Sequence, residues 1–235
     1  MEPLLKFEHV TICYNGENVV QDINLELNRG EILGVVGESG SGKSTIIKAV
    51  MGLLGNEGMV TEGDIWYKGK NVVDMQEKEL RTLLGPEIAM IFQEPMNSLN
   101  PVFTVGNQLV ETLLRHEDMT RRDAWDKSVD MLKAVGIPSP EKRMHDYSFQ
   151  MSGGMRQRVM IAMSLCLDPD ILIADEPTTA LDVTVQAQIL DLLREMQDRV
   201  GASIIMITHD HSIANHAAKV MTIRDGVLSG GDDYE

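Results

Sequence analysis

The stretch GESGSGKST, from Gly37 to Thr45, constrains the fold of this chain more than any other part of its sequence. It follows the apolar run EILGVV, which is typical of a buried strand, and it precedes IIKAVMGLL, which is typical of a helix. The stretch has the spacing G-x-x-x-x-G-K-[ST], in which glycines let backbone N–H groups turn towards a phosphate. The sequence therefore predicts a phosphate-binding loop between a strand and a helix.

Each position of this loop has an expected task. Lys43 would reach the β- and γ-phosphates of a nucleotide, and the Ser44 hydroxyl would bind Mg²⁺. The helix that begins here would add partial positive charge at its N-terminus. The other expected nucleotide contacts are Gly37, Ser39, Gly40, Ser41, Gly42 and Thr45. Kinases and GTPases share this loop, so it predicts a nucleotide but not hydrolysis.

A second acidic motif, ILIADEP, is typical of an apolar strand that ends in carboxylates. Asp175 would stand at the end of the strand and face Mg²⁺. Glu176 would point away from Asp175 if the strand geometry continued. Glu176 is therefore the candidate for polarising an attacking water molecule. A solvated acidic strand end is the simpler alternative for this motif.

Short apolar runs alternate with helical patterns along the chain, which is typical of an α/β protein with a mostly parallel sheet. A helical pattern without a convincing strand covers approximately residues 96–166, so we expect an α-helical insert there. Cys13 and Cys166 are too few for a disulfide framework or a metal cluster, and we expect both to be buried. The expected strands are LKFEHVTIC, EILGVVG, IAMIFQ, DILIAD, SIIMIT and KVMTIRDG.

The net charge and the hydropathy of the chain disfavour two kinds of environment, a nucleic acid surface and the interior of a membrane. The 21 basic and 36 acidic residues give a net charge of -15, which disfavours broad binding of nucleic acid. No run approaches the roughly 20 apolar residues of a membrane-spanning helix. The N-terminal MEPLLKFEHV also lacks the basic and apolar regions of a signal peptide. We therefore expect a cytoplasmic protein, unless a partner holds it at a membrane.

Further motifs follow in a fixed order, and together they resemble the ATP-binding subunits of ABC transporters from about Phe7 to about Gly226. Gln93 in IFQEP is similar to the Q-loop of that family, and MSGGMRQR is similar to its signature. LIADEP is similar to the Walker B motif. ALD, ending at Asp182, is similar to the D-loop, and THD places His209 as the switch histidine.

This resemblance implies a P-loop NTPase (RecA-like) core with an antiparallel β subdomain and an inserted α-helical subdomain. Residues 1–235 would form a single nucleotide-binding domain. The resemblance also implies that Glu176, His209 and Gln93 are catalytic, with Gln93 as a further Mg²⁺ ligand beside Ser44 and Asp175. ATP and Mg²⁺ are the implied cofactors. Tyr14 would stack on the adenine, although an aromatic residue after a strand is often simply packed.

The signature explains an otherwise unfavourable Gly-Gly pair, since each glycine costs about 1 kcal/mol in a helix interior. In the family the signature of one subunit faces the phosphate loop of another. Ser152, Gly153 and Gly154, together with Asp182, would then contact the nucleotide held by a second ATP-binding subunit. The small residues would allow close approach of the helix N-terminus to the phosphate. The second subunit could be another copy or a different chain.

Several longer stretches resemble the subfamily that serves dipeptide, oligopeptide and nickel importers. They are GESGSGKS, IFQEPMNSLNPVFTVG, SGGMRQRVMIAM and DEPTTALDVTVQAQIL. The resemblance implies a peripheral position on the cytoplasmic face of the membrane, membrane permease subunits as partners and, indirectly, a substrate-binding protein. It leaves the cargo open between peptides and nickel.

Two departures from the subfamily limit this interpretation. His211 stands after THD where Leu is expected, and the helix that follows is less apolar. The chain also ends at Glu235 without the C-terminal extension of many peptide-importer members, which fits compact nickel-type members or a truncated chain. A soluble ABC ATPase acting on nucleic acid or ribosomes is the alternative, although such proteins usually carry a long coiled coil or two nucleotide domains. A kinase or GTPase would not explain the signature.

Overall fold

The computed structural model describes residues 2–92, 98–178, 183–210 and 217–230. Within these ranges ten strands form one sheet in the order β5-β4-β1-β2-β10-β9-β3-β8-β7-β6, and the numbering follows the chain. The strands are β1 (Leu5–Tyr14), β2 (Glu17–Leu27), β3 (Ile32–Gly37), β4 (Gly58–Tyr67), β5 (Lys70–Asn71), β6 (Ile88–Ile91), β7 (Ile171–Asp175), β8 (Ser203–Thr208), β9 (Lys219–Arg224) and β10 (Val227–Gly230).

Seven α-helices accompany the strands in the described ranges. They are α1 (Lys43–Val50), α2 (Glu77–Leu83), α3 (Val105–His116), α4 (Arg121–Ala134), α5 (Pro140–Arg143), α6 (Gly153–Leu165) and α7 (Val183–Val200). None of the helices in the described part of the chain is both long enough and apolar enough to cross a membrane.

The sheet combines a parallel and an antiparallel region, as the sequence predicts. Strands β6, β7, β8, β3 and β9 are parallel neighbours, whereas β1, β2, β4 and β5 pair antiparallel. The sequence analysis located the parallel strands and β1. It did not locate β2, β4, β5 or β10, of which the first three build the antiparallel region.

Both faces of the parallel region are covered by apolar side chains. Along β8, Ile204 and Met206 join a core shared with α3, α4, α6 and α7. Ile205 and Ile207 join a second core shared with α1 and the antiparallel strands. This alternation is the period-2 pattern of a strand that is buried on both faces. The continuous apolar run SIIMIT therefore follows from its position in the sheet.

In the described part of the chain between β6 and β7, four α-helices, α3 to α6, follow one another. Hydroxyl side chains cap three of them: Thr104 accepts from Asn107 N–H at 3.3 Å, Thr120 from Asp123 N–H at 3.2 Å, and Ser152 from Met155 N–H at 3.3 Å. These contacts satisfy donors that the first turn of a helix leaves free. Both predicted buried cysteines are buried, and burial raises the pKa of the Cys166 thiol to about 12.

The Gly-Gly pair of the signature lies in the first turn of α6 rather than in a helix interior. A methyl group at Gly154 would lie 3.0 Å from Cγ1 of Val185 on α7. Close packing of α6 against α7 is therefore one reason for this glycine. The helix-interior cost that the sequence suggested does not apply to a first turn.

A charged cluster joins the antiparallel region to the start of the parallel strands. Lys68 Nζ donates to Glu87 Oε2 and to Asp170 Oδ2, both at 2.7 Å, and the Tyr67 hydroxyl contacts the same two oxygens at 2.9 and 3.2 Å. Arg29 adds a hydrogen bond to Asp170 Oδ1 at 3.0 Å. The cluster ties the end of β4 to the starts of β6 and β7, opposite the loops that follow those strands.

The Lys68→Met variant tests how much this cluster stabilises the fold. The hydrogen bond from Lys68 lowers the pKa of Glu87, and hydrogen bonds from Lys68 and Arg29 outweigh burial to lower the pKa of Asp170. Because 34% of the Lys68 side chain is exposed, solvent screening limits the loss to about 1–2 kcal/mol of unfolding free energy at pH 7.

Urea unfolding across pH measures this difference, with exposed Lys70→Met as the control. Carboxylates with a lowered pKa stabilise the folded state above their unfolded values, and this contribution is lost as pH falls through the folded values. The difference between Lys68→Met and the wild type should therefore shrink below about pH 4. A difference that persists at pH 3, or an equal loss in Lys70→Met, would contradict the assignment.

Candidate functional site

The register of the parallel strands brings three segments of the sequence to one edge of the sheet. Val36 of β3 pairs with Thr208 of β8, and Asp175 at the end of β7 pairs with Ile207 of β8. The carboxyl ends of parallel strands thus meet at one place, where ligands bind in open α/β sheets. The residues that follow these strands are the predicted phosphate loop, the DE pair and the THD motif.

The phosphate loop ends at Gly42, which is the N-cap of α1 and has a left-handed φ of 104°. The Gly42 carbonyl accepts hydrogen bonds from the N–H groups of Thr45 and Ile46 at 3.1 and 3.2 Å. A methyl group at Gly42 would lie 2.8 Å from Cγ2 of Val20 on β2. Glycine is therefore required here both for backbone conformation and for space.

Lys43 lies under the loop with 6% of its surface exposed. Its Nζ donates to the carbonyl oxygens of Gly37 at 2.8 Å and Glu38 at 2.7 Å. Burial lowers the pKa of Lys43, although the charges of Glu176 and Asp175 oppose that effect. Two of its three donors hold the loop in shape, so one N–H remains for a ligand.

Several polar groups of the loop lack a protein partner. The Ser41 hydroxyl is buried and makes no hydrogen bond in the described structure. The backbone hydrogen bonds of the described residues also include no acceptor for the N–H groups of Gly40, Gly42 and Lys43. Buried polar groups normally have partners. The loop therefore has several donors without a protein acceptor, which suit an anion such as a phosphate.

Asp175 is a buried carboxylate beside the loop, with 7% of its surface exposed. Its Oδ1 lies 3.5 Å from the Ser44 hydroxyl oxygen, and no Lys or Arg among the described residues lies within 4 Å of the carboxylate. Burial raises its pKa, and the hydrogen bond from Ser44 opposes the rise. A buried carboxylate without a direct ion pair, next to a hydroxyl oxygen, favours a divalent cation with oxygen ligands.

Glu176 departs from the strand geometry that the sequence analysis assumed. The strand ends at Asp175, and Glu176 has a left-handed φ of 47°. Its N–H still donates to the Ile207 carbonyl at 2.9 Å. Its Oε1 lies 3.2 Å from Nδ1 of His209. Glu176 and His209, which the sequence analysis named separately, are therefore neighbours. The direction of the Glu176 side chain follows from the turn at this residue and not from strand alternation after Asp175.

Residues of the loop line two pockets. The first, of about 510 Å³, is lined by Gly37, Glu38, Ser39, Glu176, His209, Thr222 and Arg224. The second, of about 630 Å³, includes Ser44, Lys48 and Asp175, and its apolar wall includes Met90, Phe92 and Met160. Glu176, the expected water-polarising residue, and His209 therefore line the first pocket, whereas Ser44 and Asp175, two of the expected Mg²⁺ ligands, line the second.

The remaining predicted residues lie elsewhere. Tyr14 is at the end of β1, where a methyl group at Gly58 would lie 2.6 Å from its Cε1 atom, so the ring packs over that glycine. Ser152 is exposed at the start of α6, Gly153 and Gly154 are half-buried there, and none of the three lines either pocket in the described structure. Gln93 and Asp182 lie outside the described residues.

Glu38, Thr222 and Arg224 line the first pocket, and the sequence analysis did not identify them. A signal for the last two was present in the sequence. KVMTIRDG was an expected parallel strand, so its carboxyl end belongs at the same edge as the phosphate loop. Strand alternation then places Thr222 and Arg224 on a common face.

Comparison with known proteins agrees with this architecture. The sequence family described as ABC transporter matches residues 20–179, which is more than half of the chain. The chain therefore belongs to the ABC transporter family. This finding confirms the resemblance stated from the motifs.

Two curated relatives are named for peptide transport. The oligopeptide transport ATP-binding protein OppD of Bacillus subtilis is 49% identical over 218 residues, which are 92% of this chain and 61% of that protein. The dipeptide transport ATP-binding protein DppD of Lactococcus lactis is 46% identical over 218 residues, which are 92% of this chain and 62% of that protein. The chain spans about three fifths of the length of both relatives.

Solved structures share the fold over nearly the whole chain. A dimeric ATP-binding cassette in a post-hydrolysis state, bound to ADP and Pi, aligns with a TM-score of 0.83 and 26% identity, covering 98% of this chain and 100% of that chain. The protein cbiO1 of Clostridium perfringens, part of the ABC transporter complex cbiONQ, aligns with a TM-score of 0.83 and 29% identity, covering 97% of this chain and 88% of that chain. The predicted P-loop NTPase fold is thus confirmed.

Substitution of Gly42 tests the geometry of the loop. Gly42→Ala places a methyl group against Val20, whereas Gly40→Ala places one in open space at a similar left-handed φ. Both variants strain the backbone, but only Gly42→Ala adds a steric conflict. We expect it to lower the free energy of unfolding by about 1–3 kcal/mol more than Gly40→Ala does. Equal losses in urea unfolding would contradict the close approach of the loop to β2.

Proposed function

We propose that this chain is an ATP-binding and ATP-hydrolysing subunit of an ABC transporter that imports peptides. The observation that carries the proposal is the convergence of the donor-rich loop, the Glu176–His209 contact and the buried Asp175 at one edge of the sheet. A soluble ATPase acting on nucleic acid or ribosomes finds no support in the relatives described above. The net charge of -15 also disfavours it.

The proposed domain is single and covers residues 1–235, with the helical subdomain at approximately 96–166. Helices α3 to α6 support the subdomain, because they follow one another between β6 and β7. Their apolar side chains share a core with one face of the sheet. The subdomain is therefore an insert packed on the ATP-binding core rather than a separately folded unit.

Binding of the triphosphate is the task of the loop. Lys43 keeps one N–H donor for the β- and γ-phosphates. The N–H groups of Gly40 and Gly42, which have no backbone acceptor, would also donate hydrogen bonds to phosphate oxygens. The Ser41 hydroxyl, which is buried without a partner, fits the same role. The remaining proposed contacts are Gly37, Ser39, Ser44 and Thr45 in the loop and Tyr14 at the adenine.

The residues present also fit Mg²⁺. Ser44 and Asp175 would hold the ion, with Gln93 as the further predicted ligand. When bound, the ion would supply positive charge to the phosphate oxygens. The described residues hold no group of three or more His, Cys, Asp or Glu that could bind a metal ion. Mg²⁺ usually uses one or two carboxylates together with substrate phosphates and water.

Hydrolysis requires a base beside the terminal phosphate. Glu176 would accept a proton as water attacks the γ-phosphorus and the bond to the β-phosphate oxygen breaks, yielding ADP and inorganic phosphate. The contact between Glu176 Oε1 and His209 Nδ1 orients both side chains. His209, whose side chain is 61% exposed, would also donate to a γ-phosphate oxygen.

The second half of each site would come from another ATP-binding subunit. Ser152 is the exposed N-cap of α6, Gly153 and Gly154 are half-buried in its first turn, and none of the three lines the pockets beside the phosphate loop of their own chain. The helix N-terminus has free donors and partial positive charge, which suit an anion held by a partner. Asp182 is the further predicted contact. The solved cassette bound to ADP and Pi is dimeric, which supports the pairing of two ATP-binding subunits.

The cargo and the membrane partners are inferred from relatives. OppD and DppD are named for oligopeptides and dipeptides, so we propose peptides rather than nickel as the cargo class. The proposed partners are membrane permease subunits and, indirectly, a substrate-binding protein. The proposed location is the cytoplasmic face of the membrane, with the chain held there by the permeases. Co-purification of this chain with permease subunits from its native membrane tests these assignments.

The Glu176→Gln variant tests the proposed base. The amide keeps the shape of the carboxylate but cannot accept the proton, so we expect unchanged binding of MgATP and a roughly 100-fold or greater loss of kcat. Phosphate release and binding of a fluorescent ATP analogue measure the two properties. Lys43→Ala is the comparison, because it should weaken binding itself. Turnover at the wild-type rate in Glu176→Gln would refute the assignment.

The Gly153→Asp variant tests the proposed contribution of the partner. A carboxylate at the start of α6 would repel the phosphates of the other subunit. In the Glu176→Gln background we expect it to abolish ATP-dependent dimerisation in sedimentation experiments while the far-UV spectrum of the chain is unchanged. Gly153→Asn has nearly the same shape without the charge and should retain part of the dimer. Full dimerisation of Gly153→Asp would refute the arrangement.

A further inference from the structure

The first pocket has an unbalanced set of charges for a site that takes a triphosphate. Its lining holds the carboxylates of Glu38 and Glu176, and among the described lining residues Arg224 is the one with a permanent positive charge. His209 is charged only when protonated. Lys43 does not line this pocket in the described structure. An anion in the pocket would therefore meet repulsion from two carboxylates and attraction from Arg224.

The backbone directs Arg224 to the same side as the pocket. Ile223 pairs with Gly37, and its fully buried side chain lies beneath the loop, where its Cγ2 would be 2.8 Å from a methyl group at Gly37. Successive residues of a strand point to opposite faces. Thr222 and Arg224 therefore share the other face, and both line the pocket.

Arg224 is also fixed relative to the phosphate loop. The turn after it, Asp225 and Gly226, connects β9 to β10, and the Gly226 N–H donates to the Ser41 carbonyl at 3.1 Å. This hydrogen bond joins the end of β9 to the middle of the loop. The base of the Arg224 side chain thus lies at a defined distance from the phosphate-binding groups, although the residue itself is exposed.

The guanidinium is available to a ligand. No carboxylate of the described residues lies within 4 Å of it, in contrast to Arg29, Arg81 and Arg143, which all form ion pairs. An arginine can bind two phosphate oxygens at once through a planar pair of N–H groups. A free arginine at the edge of a phosphate-binding loop therefore has the chemistry to contact the outer phosphate oxygens.

We propose that Arg224 contacts the terminal phosphate of a nucleotide bound in the same chain and so favours the triphosphate over the diphosphate. This inference rests on the proposed function, because it requires that the loop binds a nucleotide. It adds a residue from β9 to the site and gives it a distinct task. Lys43 and the loop donors bind either nucleotide, whereas Arg224 responds to the phosphate that ATP has and ADP lacks.

The test compares ATP and ADP binding in matched variants. Arg224→Met removes the charge, Arg224→Lys keeps it without the planar donor pair, and Lys219→Met removes an exposed charge at the opposite end of β9. Binding of a non-hydrolysable MgATP analogue and of MgADP is measured by calorimetry, with sedimentation to confirm a monomer. Thermal unfolding checks that each variant is folded, and Arg224→Gln replaces the methionine variant if that one is not.

We expect Arg224→Met to lower the affinity for the ATP analogue roughly 10-fold or more and the affinity for ADP less than about 3-fold. Arg224→Lys should fall between it and the wild type, and Lys219→Met should match the wild type. An unchanged ratio of the two affinities in Arg224→Met would overturn the inference. So would a variant with normal monomer binding that fails only in dimerisation, because Arg224 would then face the partner. Failure of the wild type to bind either nucleotide would instead refute the proposed function.

Discussion

The parallel register of β3, β8 and β7 is the constraint on which the site depends. It aligns Val36 with Thr208 and Ile207 with Asp175, so the segments after these three strands meet although they are far apart in the chain. A slip of one residue would turn each buried side chain to the opposite face. The two apolar cores on either face of β8 oppose such a slip, because both would lose their packing together. Apolar side chains in the two cores therefore fix the relative positions of the polar residues in the site.

The other edge of the sheet shows how the antiparallel region is held to this frame. The cluster of Lys68, Glu87 and Asp170 lies at the starts of β6 and β7, so the charged contacts and the predicted chemistry occupy opposite ends of the same strands. Tyr67, whose pKa is raised by burial and by hydrogen bonds to the carboxylates, adds a neutral donor between them. The antiparallel strands in turn support the phosphate loop, since Val20 of β2 lies against Gly42.

Much of the fold and site could be predicted from short patterns. The spacing of the glycines, Lys43 and Ser44 between Gly37 and Thr45 is typical of a phosphate-binding loop. Apolar runs such as SIIMIT can be recognised as strands without tertiary information. β2 was missed because its alternation is interrupted at the adjacent exposed residues Gln21 and Asp22, the second of which has a left-handed φ of 49°. β4 was missed because most of its first half is exposed. The left-handed turn at Glu176 was also missed, since it depends on the neighbouring strand and not on local sequence. Arg224 lines the pocket because β9 pairs with β3. A short motif does not encode such a pairing between distant strands.

The net negative charge of the chain constrains how it could bind a nucleotide and a second subunit. A protein with a net charge of -15 does not attract a nucleotide by its overall field, so attraction must come from local groups: the loop N–H donors, Lys43 and the helix N-terminus. The same argument applies to the proposed dimer, because two copies with this charge repel one another. In the proposed arrangement, association would then depend on a bound triphosphate that offers negative oxygens to the start of α6 in the partner. Loss of the terminal phosphate would remove that contact and leave the repulsion, which would give hydrolysis a direct physical route to separating the subunits.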